Sequence, residues 1–226
     1  MKSNRKNRSL VIYTLIVIVL FGAIFAINQA GNTEEDSSEQ PLAEAPSIEG
    51  QPLAGDENAQ VSIVEFGDYK CPSCKAWGEQ VWPLLKQDYI DTGLASFSYI
   101  NTLFHGEESK LAAQASEVIY LDYPEQFWDF HKALFDEQPT QVSHDDLWVT
   151  ESKVLEVAEA TVSDLDADKF MNDLKSSEIQ DKLDQDQLQV DKFGIQQTPT
   201  IVVNNIVIAN PFDYEAIKQA IEQETE

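Results

Sequence analysis

Cysteine is almost absent from this 226-residue chain: there are two, Cys71 and Cys74, three positions apart. Histidine is scarce as well, with only His105, His131 and His144, none at ligand spacing from another. A structural zinc takes four ligands, usually as two pairs, so a zinc site fails for want of donors. Positive charge is the third shortage. Lys and Arg number 15 against 40 Asp and Glu, a net charge of −25. Four of those bases, Lys2, Arg5, Lys6 and Arg8, precede the first acid, Glu34, and only 11 are left for the rest of the chain. Such an acidic surface repels nucleic acid and anionic lipid. It reads first as a solubility device, with divalent-cation binding, calcium above all, left open.

Charge of either sign is missing from residues 10–27, LVIYTLIVIVLFGAIFAI. Eighteen uncharged residues at 1.5 Å each nearly cross the hydrocarbon core of a bilayer. The bases of the tail at 1–9 belong on the cytoplasmic side, which puts everything downstream outside. The competing reading, a cleaved signal peptide, needs a small-x-small site, and Asn28 stands at the wrong place before Ala30. An uncleaved transmembrane signal anchor is therefore expected. Residues 28–50 are acidic, aperiodic and contain Ser, Pro and Gly, as a flexible linker does. Export also places both cysteines in an oxidising compartment.

The exported part, 51–226, opens with a short β-branched run, VSIVEF at 61–66, expected as a buried strand. A loop leads to Cys71, and from Cys74 to Tyr89 the pattern is helical, with Trp77, Val81, Leu84 and Leu85 on one face. ASFSYINTLF then alternates as a second strand, completing a βαβ unit. Only helical patterning follows from about 107 to 192. TPTIVVNNIVIAN reads as a hairpin turning at Asn204-Asn205, and Asp213 as the N-cap of a closing helix ending near Glu222. The expected fold is α/β, βαβ … ββα, with an all-helical insertion.

Two chemical readings of the cysteines survive the loss of zinc. As a staple, a bridge between positions i and i+3 closes a tiny loop and removes little entropy from the unfolded chain. As a redox pair it has a mechanism. Pro72 suits the first residue of a helix, where no N–H is needed, which makes Cys71 the N-cap. Its sulfur then lies by the free N–H groups of Ser73 and Cys74 and the positive end of the helix dipole, so its pKa should fall. Lys70 and Lys75 add positive charge from expected surface positions. Cys74, one turn further in, is expected to be more buried and to act as the resolving thiol, with Cys71 the sulfur that is attacked.

VSIVEFGDYKCPSC, FHGEESKLAAQASE, FWDFHKALF and QQTPTIVVNN together resemble the DsbA-like thiol-disulfide oxidoreductases of the thioredoxin superfamily, most of all the membrane-anchored BdbD type of Gram-positive bacteria. The likeness covers about residues 51–226. It implies a thioredoxin-like fold and a cis bond at Thr198-Pro199 facing the cysteines, where the backbone of Thr198 pairs with an extended substrate. It makes Glu65 a buried acid that relays protons to and from the resolving thiol; the alternative is a solvent-facing strand position. Many members carry histidine as the second central residue of the motif. Ser73 stands there in this chain, and its hydroxyl brings no charge to the sulfur.

The function so implied is donation of the Cys71–Cys74 disulfide to reduced, unfolded exported proteins, with no cofactor required and with reoxidation by a quinone-linked membrane partner of the DsbB type. A reductase or isomerase at the same site is the first alternative. An anchored acidic module binding calcium or protein, its disulfide structural, is the second. For calcium the candidate cluster is Asp181, Asp184 and Asp186, which reads first as a solvated helix face.

Overall fold

The computed structural model describes residues 40–139 and 147–225. The basic tail, the apolar run at 10–27 and the linker up to residue 39 lie outside the described residues, as does the start of a helix expected from 143. Among the described residues no helix is long and apolar enough to cross a membrane. Glu39–Glu226 forms one compact unit.

Its centre is a six-stranded mixed sheet in the order β1-β6-β5-β3-β4-β2, with β1 at Gln40–Pro41, β2 at Leu53–Gly55, β3 at Val61–Gly67, β4 at Ala95–Asn101, β5 at Thr200–Val203 and β6 at Ile206–Val207. The central pair, β3 and β4, runs parallel, with Glu65 opposite Tyr99. Strand β5 lies antiparallel on the other side of β3, with Ile201 opposite Glu65. Because side chains alternate along a strand, Val61, Ile63 and Glu65 share one face while Val64 and Phe66 share the other. The second strand forms where its alternating pattern places it. Its neighbours on both sides and its covered faces bury it whole, Ser96 and Ser98 included.

Helix α1 (Pro72–Gln80) and the closing helix α8 (Tyr214–Thr225) cover the first face. Trp77, Val81 and Leu85 pack there on Ile63, Phe97, Ile201 and Ile217, and Trp77 stacks on Phe97 at 5.8 Å. The helix expected to run unbroken to Tyr89 is interrupted at Val81, followed by α2 (Trp82–Leu85) and a π-helical turn at Lys86–Ile90. Pro83 has no N–H to continue the ladder and its ring crowds the preceding turn. The change of phase turns Leu84 outward, 47% exposed, where the periodicity placed it inside.

The insertion is helical throughout its described part: α3 (Glu107–Asp122), a 3-10 turn at Pro124–Gln126, α4 (Phe127–Asp136), α5 (Glu151–Thr161), α6 (Ala167–Asp173) and α7 (Ser177–Lys192). Phe127, Phe130, Leu134 and Phe135 are buried as the pattern requires. Pro124 starts the 3-10 turn rather than the α-helix. The hairpin turns at Asn204-Asn205, with Val203 opposite Ile206, and the Asp213 carboxylate accepts from the N–H of Ala216 as an N-cap.

Residues 40–50, read from sequence as the end of the linker, lie on the domain. Strand β1 extends the sheet beside β6, Leu42 and Ile48 pack on the second face with Val64, Phe66 and Val190, and the side chain of Gln189 exchanges hydrogen bonds with both backbone groups of Ser47.

Candidate active site

The two cysteines sit where β3 hands over to α1. Cys71 is the N-cap, in extended conformation, with Pro72 beginning the helix. Cys71 and Cys74 are free thiols. Cys74 is 1% exposed and Cys71 7%, the order expected of an inner and an outer sulfur. The Cys71 thiol donates to the carbonyl oxygen of Thr198 at 3.3 Å, and the Thr198-Pro199 bond is cis. Strand β5, which follows Pro199 directly, therefore brings residues 198 and 199 to the sulfur from the far end of the sequence. Pro72 and Ser73 are exposed beside it.

The two sulfurs titrate in opposite directions. The Cys71 pKa falls from 9.0 to about 5, chiefly through a hydrogen bond from the Cys74 thiol, with the Thr198 side chain and the N–H groups of Cys74 and Ser73 adding to it against the cost of burial. Burial pushes Cys74 well up, and the hydrogen bond it gives Cys71 adds to the rise. At pH 7 the Cys71 thiolate thus outnumbers its thiol by about a hundredfold. The Thr198 carbonyl accepts from the thiol only, so ionisation frees that oxygen.

Glu65 is on the face of β3 that α1 covers, 3% exposed, which settles the strand position in favour of burial. Its Oε1 has no hydrogen-bond partner. Burial raises its pKa well above 4.5, and the Cys71 charge raises it further. Reciprocally, Glu65 opposes ionisation of Cys74.

Lys70 was expected at the surface and is buried, 7% exposed. It pairs with Glu108 at the start of α3, and that pairing makes its burial tolerable. Lys75 lies part-way out and donates to the carbonyls of Asp136 and Gln138, holding α1 to the end of α4.

Three residues that sequence reasoning passed over fasten the cysteine loop. Asp68 is 1% exposed; its Oδ1 accepts from the N–H of Lys70, and its Oδ2 accepts from the N–H of Phe104, from His105 Nδ1 at 2.6 Å and from Ser109 Oγ at 2.8 Å. Its backbone carbonyl accepts from the N–H of Cys71 at 2.9 Å, and its own N–H points at Cys74 Sγ, 3.5 Å away. Glu108 holds Lys70 and also accepts from the N–H groups of Trp148 and Val149. Gln138 donates through Nε2 to the carbonyls of Tyr69 and Cys71, at 2.6 and 3.1 Å. The stretch FHGEES, carried by the family resemblance, holds the signal for the first two. Gln138 has none. Nearby, Tyr69 shares a hydrogen bond with His131 Nδ1 at 2.8 Å, and desolvation among the aromatic rings pushes the His131 imidazole down to about 3.

The aspartates proposed as a calcium cluster do not act together. Asp181 and Asp184 are exposed, while Asp186 turns inward and is buried. It accepts from Gln51 Nε2 at 2.6 Å and from both N–H groups of Asn101, and Asn101 also donates to Glu117. Burial raises the pKa of both acids. Among the described residues no group of three His, Cys, Asp or Glu side chains gathers as a metal site.

The arrangement has known relatives. The family model described as thioredoxin matches residues 47–223. Disulfide bond formation protein D of Bacillus subtilis (strain 168) is 39% identical over 193 residues, 85% of this chain and 85% of that protein. The probable disulfide bond formation protein D of Bacillus anthracis is 33% identical over 225 residues, 99% of each. The crystal structure of oxidised BdbD from Bacillus subtilis superposes with a TM-score of 0.76 at 40% identity, covering 82% of this chain and 98% of that one.

Proposed function

Since this chain belongs to the thioredoxin family, in the group of the disulfide bond formation proteins D, we propose that it is a thiol-disulfide oxidoreductase that forms disulfides in exported proteins through Cys71 and Cys74. A substrate thiolate attacks Cys71 Sγ of the oxidised enzyme, forming a mixed disulfide and releasing the Cys74 thiolate. A second substrate thiolate then attacks the substrate sulfur of that mixed disulfide and expels Cys71. Two electrons pass to the enzyme, the substrate keeps the new S–S bond, and Cys71 leaves as the stabilised thiolate.

The observation that carries this direction is the contrast between the two sulfurs. A site that lowers the Cys71 pKa to about 5 favours the reduced enzyme, which is what makes a disulfide oxidising. Glu65, buried and protonated more readily than an exposed acid, is placed by this reading as the proton source for Cys74, whose own charge burial opposes. The Thr198 carbonyl, released when Cys71 ionises, accepts a backbone N–H of an extended substrate.

The reaction is assigned to the outer face of the cell membrane, with residues 10–27 as the anchor and a quinone-linked oxidase of the DsbB type returning the disulfide. The basic tail and the apolar run support that location. Equilibration of the full chain with glutathione tests the direction. A potential well above that of thioredoxin is expected; one near it, about −270 mV, makes the chain a reductase.

Calcium belongs to the same proposal, with Asp186 alone kept from the three aspartates the sequence singled out. Glu117 and Asp186 are buried acids bridged by Asn101, and the buried Gln51 Oε1 lacks a partner. Two carboxylates and amide oxygens are the hard donors calcium takes, and its charge would offset the two acids that burial disfavours. A melting temperature that rises with calcium, and does so less in Asp186→Asn, is expected; equal melting in calcium and in chelator removes the ion from the account.

A further inference from the structure

The stretch FHGEES follows β4 and closes over the cysteine loop, yet disulfide exchange as described assigns it no part. Its residues converge on one carboxylate. The N–H of Phe104, the imidazole of His105 and the hydroxyl of Ser109 all donate to Asp68 Oδ2, and the N–H of His105 is itself held by Ser109 Oγ at 3.0 Å. Asp68 belongs to the same turn as the reactive sulfur, since its carbonyl accepts from the N–H of Cys71. A carboxylate buried at that point directs negative charge toward a thiolate the site must stabilise.

We propose that His105 is a positioning residue of the thiol site, whose imidazolium, held on Asp68, cancels the charge of that buried carboxylate and so favours the Cys71 thiolate. This rests on the reading of Cys71 as the exchanging sulfur. The geometry fixes the tautomer: Nδ1 faces a carboxylate that only accepts, so Nδ1 carries a proton and titration occurs at Nε2. The side chain of His105 is 16% exposed against 0% for Asp68. The charged groups about it include Asp68, Lys70 and Cys71 from the loop after β3 and Glu108 from α3, which is engaged with Lys70. Asp68 and the Cys71 thiolate raise the His105 pKa, and Lys70 lowers it. By linkage, what the thiolate does to the imidazolium the imidazolium does to the thiolate. In members with histidine inside the C-x-x-C motif that charge sits in the helix. In this chain the motif has Ser73, and the charge arrives from a loop beyond the neighbouring strand.

Titration of the imidazole carbons by NMR tests this on the full chain in detergent. The His105 pKa is expected to be about half a unit higher in the reduced protein than in the oxidised one, where Cys71 carries no charge. The resonance is assigned by its loss in His105→Gln. Reciprocally, His105→Gln should raise the Cys71 pKa by about half a unit, cutting the thiolate-to-thiol ratio about threefold at a fixed pH near the midpoint. His105→Lys, which restores a cation, should reverse most of that change. An imidazole pKa that is the same in both redox states, or a Cys71 midpoint unmoved in His105→Gln, overturns the proposal. Both readouts are equilibrium titrations, so they stand apart from whether the chain proves to be an oxidant.

Discussion

The thiol of Cys71 and the carbonyl oxygen of Thr198 lie 3.3 Å apart although 127 positions separate them in the chain. The carbonyl holds the thiol, whereas the Thr198 side chain holds the thiolate. One residue thus meets both ionisation states of the exchanging sulfur, and which of its atoms binds depends on the proton.

In the reduced protein, ultraviolet absorbance of the thiolate is expected to titrate with a midpoint near pH 5. Thr198→Val keeps the shape and removes the hydroxyl, and should raise that midpoint by about one unit. The sign for stability follows. Cys71 has its pKa depressed in the folded state, so its contribution is present above the unfolded value of 9.0 and is lost as pH falls toward 5. The disulfide has no such titration. Denaturation of both redox forms from pH 5 to 9 should show the reduced form gaining on the oxidised as pH rises. A constant difference would refute the thiolate assignment.

Glu65 gives the opposite slope. Its folded pKa lies well above 4.5 because the site is buried. Between 4.5 and that raised value the folded state holds a proton that the unfolded state has released, so stability falls as pH rises through this window. Glu65→Gln removes the slope and should be more stable than the parent at pH 7, measured on the oxidised form so that neither cysteine titrates. The same variant should resolve mixed disulfides more slowly, by roughly a hundredfold, the lower end of the scale of lost acid-base assistance. Equal pH slopes in the two proteins would mean that the carboxylate is solvated.

Gly67 ends β3 directly under the ring of Tyr99. A Cβ on Gly67 would lie 2.3 Å from a ring carbon and 2.8 Å from the hydroxyl. Tyr99 is fully buried and cannot swing away. Gly67→Ala is therefore an overpacking substitution, expected to cost about 1–3 kcal/mol and to displace the turn that holds Asp68. Gly78, where nothing lies within 4 Å of an added Cβ, provides the control, and Gly78→Ala should leave stability unchanged or raise it slightly, as Ala for Gly does inside a helix. Urea unfolding of both variants makes the comparison.

What was legible before the structure was what short stretches of sequence determine. Pro72 after Cys71 marks a helix start wherever it occurs, Asn204-Asn205 between two β-branched runs marks a hairpin, and Asp213 marks a cap. Thr198-Pro199 was readable only through family resemblance. The burial of Lys70 and the fastening role of Gln138 were not legible, because each depends on a distant partner, and for Asp68 the signal lay only in the resemblance carried by FHGEES. The outward turn of Leu84 escaped for a local reason: periodicity was carried past Pro83 as if the helix continued. The docking of residues 40–50 escaped because β1 is two residues long and its strength comes from the neighbouring strand β6.

Glu108 ties the cysteine loop to the insertion through both of its oxygens. One pairs with Lys70, next to Cys71, and the other accepts from the N–H groups of Trp148 and Val149 at 2.6 and 2.8 Å. Glu108→Ala takes away the carboxylate of a buried ion pair and the acceptor of two amides at once. The expected loss is about 3–5 kcal/mol, the range for removing one partner of such a pair. Glu108→Gln keeps an acceptor for the amides and should lose less. The double variant Lys70→Met with Glu108→Gln removes both charges together, and it should recover much of the stability, because what is costly is a buried charge without its counter-charge. A double variant as unstable as Glu108→Ala would show instead that the pair itself, and not charge balance, holds the loop against the insertion. Thermal unfolding of the three variants, read beside the Cys71 titration of each, separates the fold's need for this clamp from the thiol's.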